Sequence, residues 1–98
     1  MDDYLICKDG TRVTRIDFIE SGKHFKACQW IQEKQGEVTI LIVPDNGFSE
    51  ADRNFVKKET LKKVGHNNMD IEIKVVSIDK LIYTSRGKFK LIVNALKK

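Results

Sequence analysis

Apolar and polar residues alternate in short blocks along this chain, and the period of the alternation changes from block to block. Near the start, Tyr4-Leu5-Ile6-Cys7 and Thr11-Arg12-Val13 flank Lys8-Asp9-Gly10. Asp-Gly supplies the positive backbone angles of a tight reversal, so a short β-hairpin is predicted. Between Phe25 and Gln32 the pattern is mixed, with Phe25, Ala27 and Ile31 on one parity and Cys28 and Trp30 on the other. That spacing fits a strand better than a helix. From Val38 to Val43 every residue but Thr39 is apolar, which predicts a central strand covered on both faces. Ile71, Ile73 and Val75 alternate with Glu72 and Lys74, as in a strand with one wet face. Phe89, Leu91 and Val93 repeat the alternation beyond a loop at Tyr83 to Gly87.

The period lengthens only between Ser49 and Val64. Ser49 followed three residues later by Asp52 is a helix-start signature, and Glu50 and Asp52 suit the positive end of the helix dipole. Lys62, Lys63 and Gly65 are the matching stop signals. Ala51, Phe55, Leu61 and Val64 form the expected apolar stripe, with the aliphatic stem of Lys58 in its gap. The element order predicts an α+β sandwich, a mixed or antiparallel sheet covered by helix, ferredoxin-like and preceded by a short β-hairpin. No repeat, low-complexity tract or linker divides 1–98, and Pro44 closes the central strand. A single domain is expected, because 98 residues support one modest core.

Composition narrows the class. The chain is 41% hydrophobic and 33% charged, with no apolar run of membrane-spanning or signal-peptide length, so a soluble, cytoplasmic protein is expected. Cys7 and Cys28 read as reduced, partly buried thiols. The formal charge of +4 arises from 18 basic and 14 acidic residues, with basic groups dense near the C-terminus. Such an excess favours anionic partners without choosing among nucleic acid, nucleotide and phosphate.

The inventory for chemistry is thin. Cys7, His24, Cys28 and His66 lack metal-ligand spacing, so no metal site is expected. His24 and His66 read as solvated loop residues, Asp17 as a turn cap and Trp30 as core. No phosphate cradle or nucleophile elbow is present. Thr84-Ser85-Arg86-Gly87-Lys88-Phe89-Lys90 places a lysine beside a glycine between two strands. On residue types alone Lys88 is an ordinary solvated lysine.

Several ordered pieces together carry more information. They are Asp2-Asp3-Tyr4, Asp9-Gly10-Thr11-Arg12, Arg15-Ile16-Asp17-Phe18-Ile19, Ala27-Cys28-Gln29-Trp30-Ile31-Gln32, Val43-Pro44-Asp45-Asn46-Gly47-Phe48 and Leu81 to Lys90. In this order they resemble the C-terminal domain of adenylate-forming ligases related to phenylacetate-CoA ligase, the CapK-like capsule-biosynthesis proteins among them. The last piece is similar to an Ile-Pro-Arg-Thr-x-x-Gly-Lys-Phe-Arg motif, from which Ile82 and Tyr83 depart at Pro-Arg. Thr14 stands where a Gly often occurs.

The resemblance implies a mobile lid domain of an AMP-forming acyl- or aryl-CoA ligase. It implies Lys88 as the catalytic adenylation lysine, Asp2 as the hinge, and Thr84 and Gly87 as its supporting loop. Partners would be the protein's own large N-terminal domain and, through it, a carboxylic acid, ATP, magnesium and coenzyme A. This domain alone would be inactive and would bind none of them tightly. Two other classes fit the sequence less well: a ferredoxin-like nucleic-acid-binding module and a regulatory, ligand-binding or dimerising module. Phe25, Trp30 and Phe89 do not fall into a base-stacking pattern.

Overall fold

The computed structural model describes residues 4–14, 24–65, 67–83, 87 and 92–95. The hairpin forms as expected: β1 (Leu5–Ile6) runs antiparallel to β2 (Arg12–Val13), with Leu5 opposite Val13. Its turn is closed by the Cys7 N–H donating to Thr11 O at 2.9 Å and the Gly10 N–H to Cys7 O at 3.0 Å. Hydrogen bonds from Thr11, backbone first, and then from Asn68 hold the Asp9 carboxyl below its ordinary range.

The remaining described strands are β3 (Phe25–Lys34), β4 (Glu37–Pro44), β5 (Asp70–Val75) and β6 (Ile92–Asn94). They form one sheet in the order β5-β4-β3-β6. A tight turn makes β3 and β4 antiparallel, with Trp30 opposite Ile40. Helix α1 (Glu50–Val64) carries the chain back so that β5 pairs parallel with β4, as a crossover connection must. β6 then returns across the sheet to pair parallel with β3, Trp30 beside Ile92. The sheet is therefore mixed, antiparallel at its centre and parallel toward both edges, whereas a ferredoxin-like sheet alternates in direction throughout.

Packing explains the mixed pattern of β3. An irregularity between Phe25 and Ala27 shifts the register, so Phe25 shares a face with Cys28 and Trp30 while Ala27 and Ile31 turn to the other. On the helix side, Cys28, Trp30, Val38, Ile40 and Ile42 pack with Val56 and Val64 of α1 and with Leu5, Cys7 and Val13 of the hairpin. Each such side chain contributes about 1.5–3 kcal/mol of burial. The opposite face holds a smaller cluster, Leu41, Val43 and Leu81, with Ala27, Ile31 and Val76 against it. β4 is thus covered on both faces, as its unbroken apolar run predicts.

Three expectations are corrected. The buried helix positions are Asp52, Val56, Thr60 and Val64, while Phe55 and Leu61 are half-buried and Ala51 and Lys58 exposed. The stripe is rotated because two polar residues on it are hydrogen-bonded. Thr60 Oγ1 donates to Val56 O at 2.8 Å and accepts from Trp30 Nε1 at 3.1 Å. At the end of β5, Val75 is 48% exposed, although Ile71 and Ile73 pack on the core. On β6 the core residue is Ile92, not Val93, which is half-buried; Phe89 and Leu91 lie outside the described residues.

Backbone approach ties the hairpin to the sheet. Gly36, in the β3–β4 turn with φ near +78°, donates its N–H to Ile6 O at 2.9 Å. A Cβ there would meet Lys8 Cγ at 2.6 Å, so a side chain would force Lys8 to shift.

Candidate functional site

Among the candidate residues, Lys88, Thr84 and Asp2 lie outside the described residues, as do His66 and Asp17. Gly87 is described. It is exposed, has φ near +79°, and has no atom within 4 Å of where a Cβ would stand. Its backbone angle, not crowding, is what selects glycine there.

Both stems of the segment that carries Lys88 are held on β3. On the incoming side, a single 3-10 turn at Ile78–Lys80 leads to Leu81, whose buried side chain joins the cluster of Leu41 and Val43. The next residue, Ile82, is gripped by a side chain: its N–H donates to Gln29 Oε1 at 2.8 Å, and Gln29 Nε2 donates to its carbonyl at 2.7 Å. Gln29 is fully buried in the middle of β3. On the outgoing side, β6 pairs with β3 at Trp30, Ile31 and Gln32.

Three residues further along β3, Gln32 makes the corresponding grip on the other face. The Ile6 N–H donates to Gln32 Oε1 at 2.7 Å and Gln32 Nε2 donates to Ile6 O at 2.8 Å. Gln35 Nε2 donates to Cys7 O at 3.1 Å, and Asn94 Nδ2 donates to Tyr4 O at 2.8 Å. A carboxamide bonded to both the N–H and the C=O of one residue acts as a strand neighbour would, and it satisfies two backbone groups that burial would otherwise leave costly. The only trace of this in the sequence was the pair of glutamines inside an otherwise largely apolar strand. Composition gave no reason to single them out.

A second polar cluster sits at the start of α1. The Asp52 carboxylate accepts from the Ser49 N–H at 3.0 Å, from Ser49 Oγ at 3.4 Å and from the His24 N–H at 3.4 Å. His24 Nδ1 lies 3.3 Å from Asp52 Oδ2. Burial opposes ionisation of Asp52, but the Ser49 and His24 donors together outweigh it and hold its carboxyl below the ordinary range. His24 is exposed, as expected of a loop residue, its side chain 53% accessible, and it is also engaged through both ring and backbone. The cluster is a helix cap with a histidine fastened to it.

Nucleophiles are suppressed where the described residues contain them. Burial pushes the Cys28 thiol up to about 12, and burial followed by the nearby Asp9 charge raises that of Cys7. Both thiols are free and buried. Among the described residues no three His, Cys, Asp or Glu converge to hold a metal ion, and no helix is long and apolar enough to cross a membrane. Trp30 and Phe25 are buried in the core, where neither can stack on a base. Next to the incoming stem, the described residues expose Val75, Ile78, Ile82 and Tyr83, each more than 40% accessible.

This arrangement builds a platform and two anchored stems. Comparison with curated proteins and with solved structures gives no match. The family model described as the CapK C-terminal domain matches residues 5–95, a span that includes the hairpin, the sheet, the helix and the segment between the stems. The chain belongs to the CapK C-terminal domain family, and is thereby a domain of a larger CapK-like protein with an N-terminal partner domain.

Proposed function

We propose that this chain is the mobile C-terminal domain of an AMP-forming acyl- or aryl-CoA ligase of the phenylacetate-CoA ligase type, with Lys88 as its adenylation lysine. The observation that carries the reading is the CapK C-terminal domain match over residues 5–95, within which Gly87-Lys88 falls between two stems tied to one strand. A lysine presented from anchored stems suits a role in which one ammonium group is delivered to a reaction taking place on another domain.

The chemistry asks little else of this domain. When a carboxylate attacks the α-phosphorus of ATP, two anions must approach and pyrophosphate must leave. The Lys88 ammonium, placed between carboxylate and α-phosphate oxygens, offsets that repulsion as the acyl-adenylate forms. Coenzyme A thiol then attacks the acyl carbonyl, releasing AMP, after the small domain has turned about Asp2 to present another surface. Adenine, magnesium and the acid are assigned to the large domain. With the catalytic partners held elsewhere, the isolated domain has no activity of its own, and a cytoplasmic setting suits its substrates.

The test is ATP–pyrophosphate exchange by the full-length protein with a panel of aryl and acyl carboxylates. Exchange is expected with at least one acid and should fall by about 10²-fold or more in Lys88→Ala, the scale set by removing one preorganised charge-stabilising group. Thioester formation from preformed acyl-adenylate should change far less. Equal loss in the two half-reactions would remove Lys88 from the role.

A further inference from the structure

We propose that Gln29 is a positioning residue for the adenylation step: its carboxamide, bonded to both the N–H and the carbonyl of Ile82, fixes the incoming stem of the segment that carries Lys88. The proposal rests on the role given to Lys88 above.

Three observations converge on it. Gln29 is fully buried, and it spends a carboxamide on the backbone of one residue 53 positions away in sequence. Burying a primary amide is favourable only when its atoms are bonded, so the site holds together as a unit or not at all. Orientation is unambiguous as well, since an N–H can only donate and a carbonyl only accept; the oxygen of Gln29 must face the Ile82 N–H.

The grip also lies where position matters. Leu81 is anchored by its side chain and Ile82 by its backbone, while Ile82 as a residue stays 41% exposed. Ile82 is thus held by what its main chain bonds, not by what its side chain packs against. The outgoing stem enters β6 beside Trp30, the residue that follows Gln29 on the same strand. Neighbouring positions of β3 therefore set both ends of the segment, and a shift at Gln29 changes the separation of those ends. The motif that this chain resembles has proline at the position of Ile82. A proline has no N–H, so the two-bond grip is open to this chain because a residue other than proline stands there.

The experiment uses the full-length protein with Gln29→Met, which keeps length and apolar volume but neither polar atom, and Gln29→Glu. Adenylation by Gln29→Met, measured as kcat for ATP–pyrophosphate exchange, should drop about 10- to 100-fold, the cost of displacing a reacting group by about 1 Å, with KM for ATP nearly unchanged. Thioester formation from preformed acyl-adenylate should stay within about twofold, because Lys88 acts only in the first step. Gln29→Glu supplies a readout that general destabilisation would not move. Its carboxylate accepts from the Ile82 N–H but opposes the Ile82 carbonyl, whereas its protonated form restores both bonds. Exchange by this variant, relative to wild type, should therefore rise as pH is lowered from 8 to 6.

Equal losses in both half-reactions, or no loss in adenylation, overturns the proposal. A wild-type protein that shows no exchange with any acid overturns the functional reading instead. Amide hydrogen exchange across residues 83–91 then decides for Gln29: faster exchange in Gln29→Met upholds its hold on the segment, and unchanged exchange overturns it.

Discussion

Thr60→Val is the sharpest test of how the helix is joined to the sheet. The side chain is fully buried, and its hydroxyl accepts from the Trp30 indole N–H at 3.1 Å while donating to Val56 O at 2.8 Å. Valine has nearly the same shape and helix propensity, so the substitution deletes the acceptor with little else changed. Taking the acceptor from a donor in a dry site costs about 1–3 kcal/mol, and the added methyl returns about 0.8 kcal/mol, leaving a net loss of about 0.2–2.2 kcal/mol, about 1 kcal/mol at mid-range. The Val56 carbonyl loses little, since the helix supplies it with a backbone donor. For a domain of this size, urea slopes of about 1–3 kcal/mol/M convert a loss of about 1 kcal/mol to a midpoint lower by about 0.3–1 M. Trp30 is the chain's one tryptophan, so its fluorescence reports the melt and, before the transition, the state of the indole itself. Thr60→Ser serves as the control: it keeps the oxygen, loses about 1 kcal/mol to a methyl-sized gap, and should leave native emission unchanged. Valine and wild-type midpoints within about 0.2 M of each other, with the same native emission, would refute the reasoning.

Two further outcomes are expected. The folded-state pKa of Cys28 is raised to about 12, so the stability its neutral thiol contributes is complete below the ordinary thiol range near 9 and is lost as pH rises toward 12. The urea midpoint in reducing buffer should fall more steeply above pH 9 in wild type than in Cys28→Ala, and parallel pH profiles would contradict the assignment. Gln32→Leu removes both bonds to Ile6, and with a backbone N–H left without its partner the expected loss is about 1–3 kcal/mol. Amide exchange of the isolated domain should then quicken in residues 4–13 before the helix is affected; uniform quickening throughout would count against a local tie.

Pattern reading recovered the elements because each carries its own periodicity: Asp9-Gly10 for the hairpin, Val38 to Val43 for the central strand, Ser49 with Asp52 for the helix start. It failed where long-range partners decide a face. Thr60 and Asp52 stand outside the apolar stripe expected from the sequence, yet each accepts a bond on the packed face of the helix from a residue 28 to 30 positions away. Phe25 and Ala27 were given one parity because a register shift leaves no mark on composition. Gln29 and Gln32 show the limit most plainly. A buried glutamine is legible as unusual, but what it grips, Ile82 in one case and Ile6 in the other, depends on the return of distant chain to β3. The candidate lysine became legible only through the ordered motifs around it, and all of those motifs except Asp2-Asp3-Tyr4 lie within the matched span of 5–95.

The amide ties at the hairpin have a mechanical meaning. Tyr4, Ile6 and Cys7 are bonded through Asn94, Gln32 and Gln35 to the edge, the floor and the turn of the sheet. Torque applied to the chain just ahead of Tyr4 therefore meets no slack joint before the sheet: the hairpin behaves as a spline seated in the body it turns. Under the proposed function, in which the domain swings between two orientations, such seating would convert a small rotation at the point of entry into the same rotation everywhere, including at the far side of β3 where Ile82 is held.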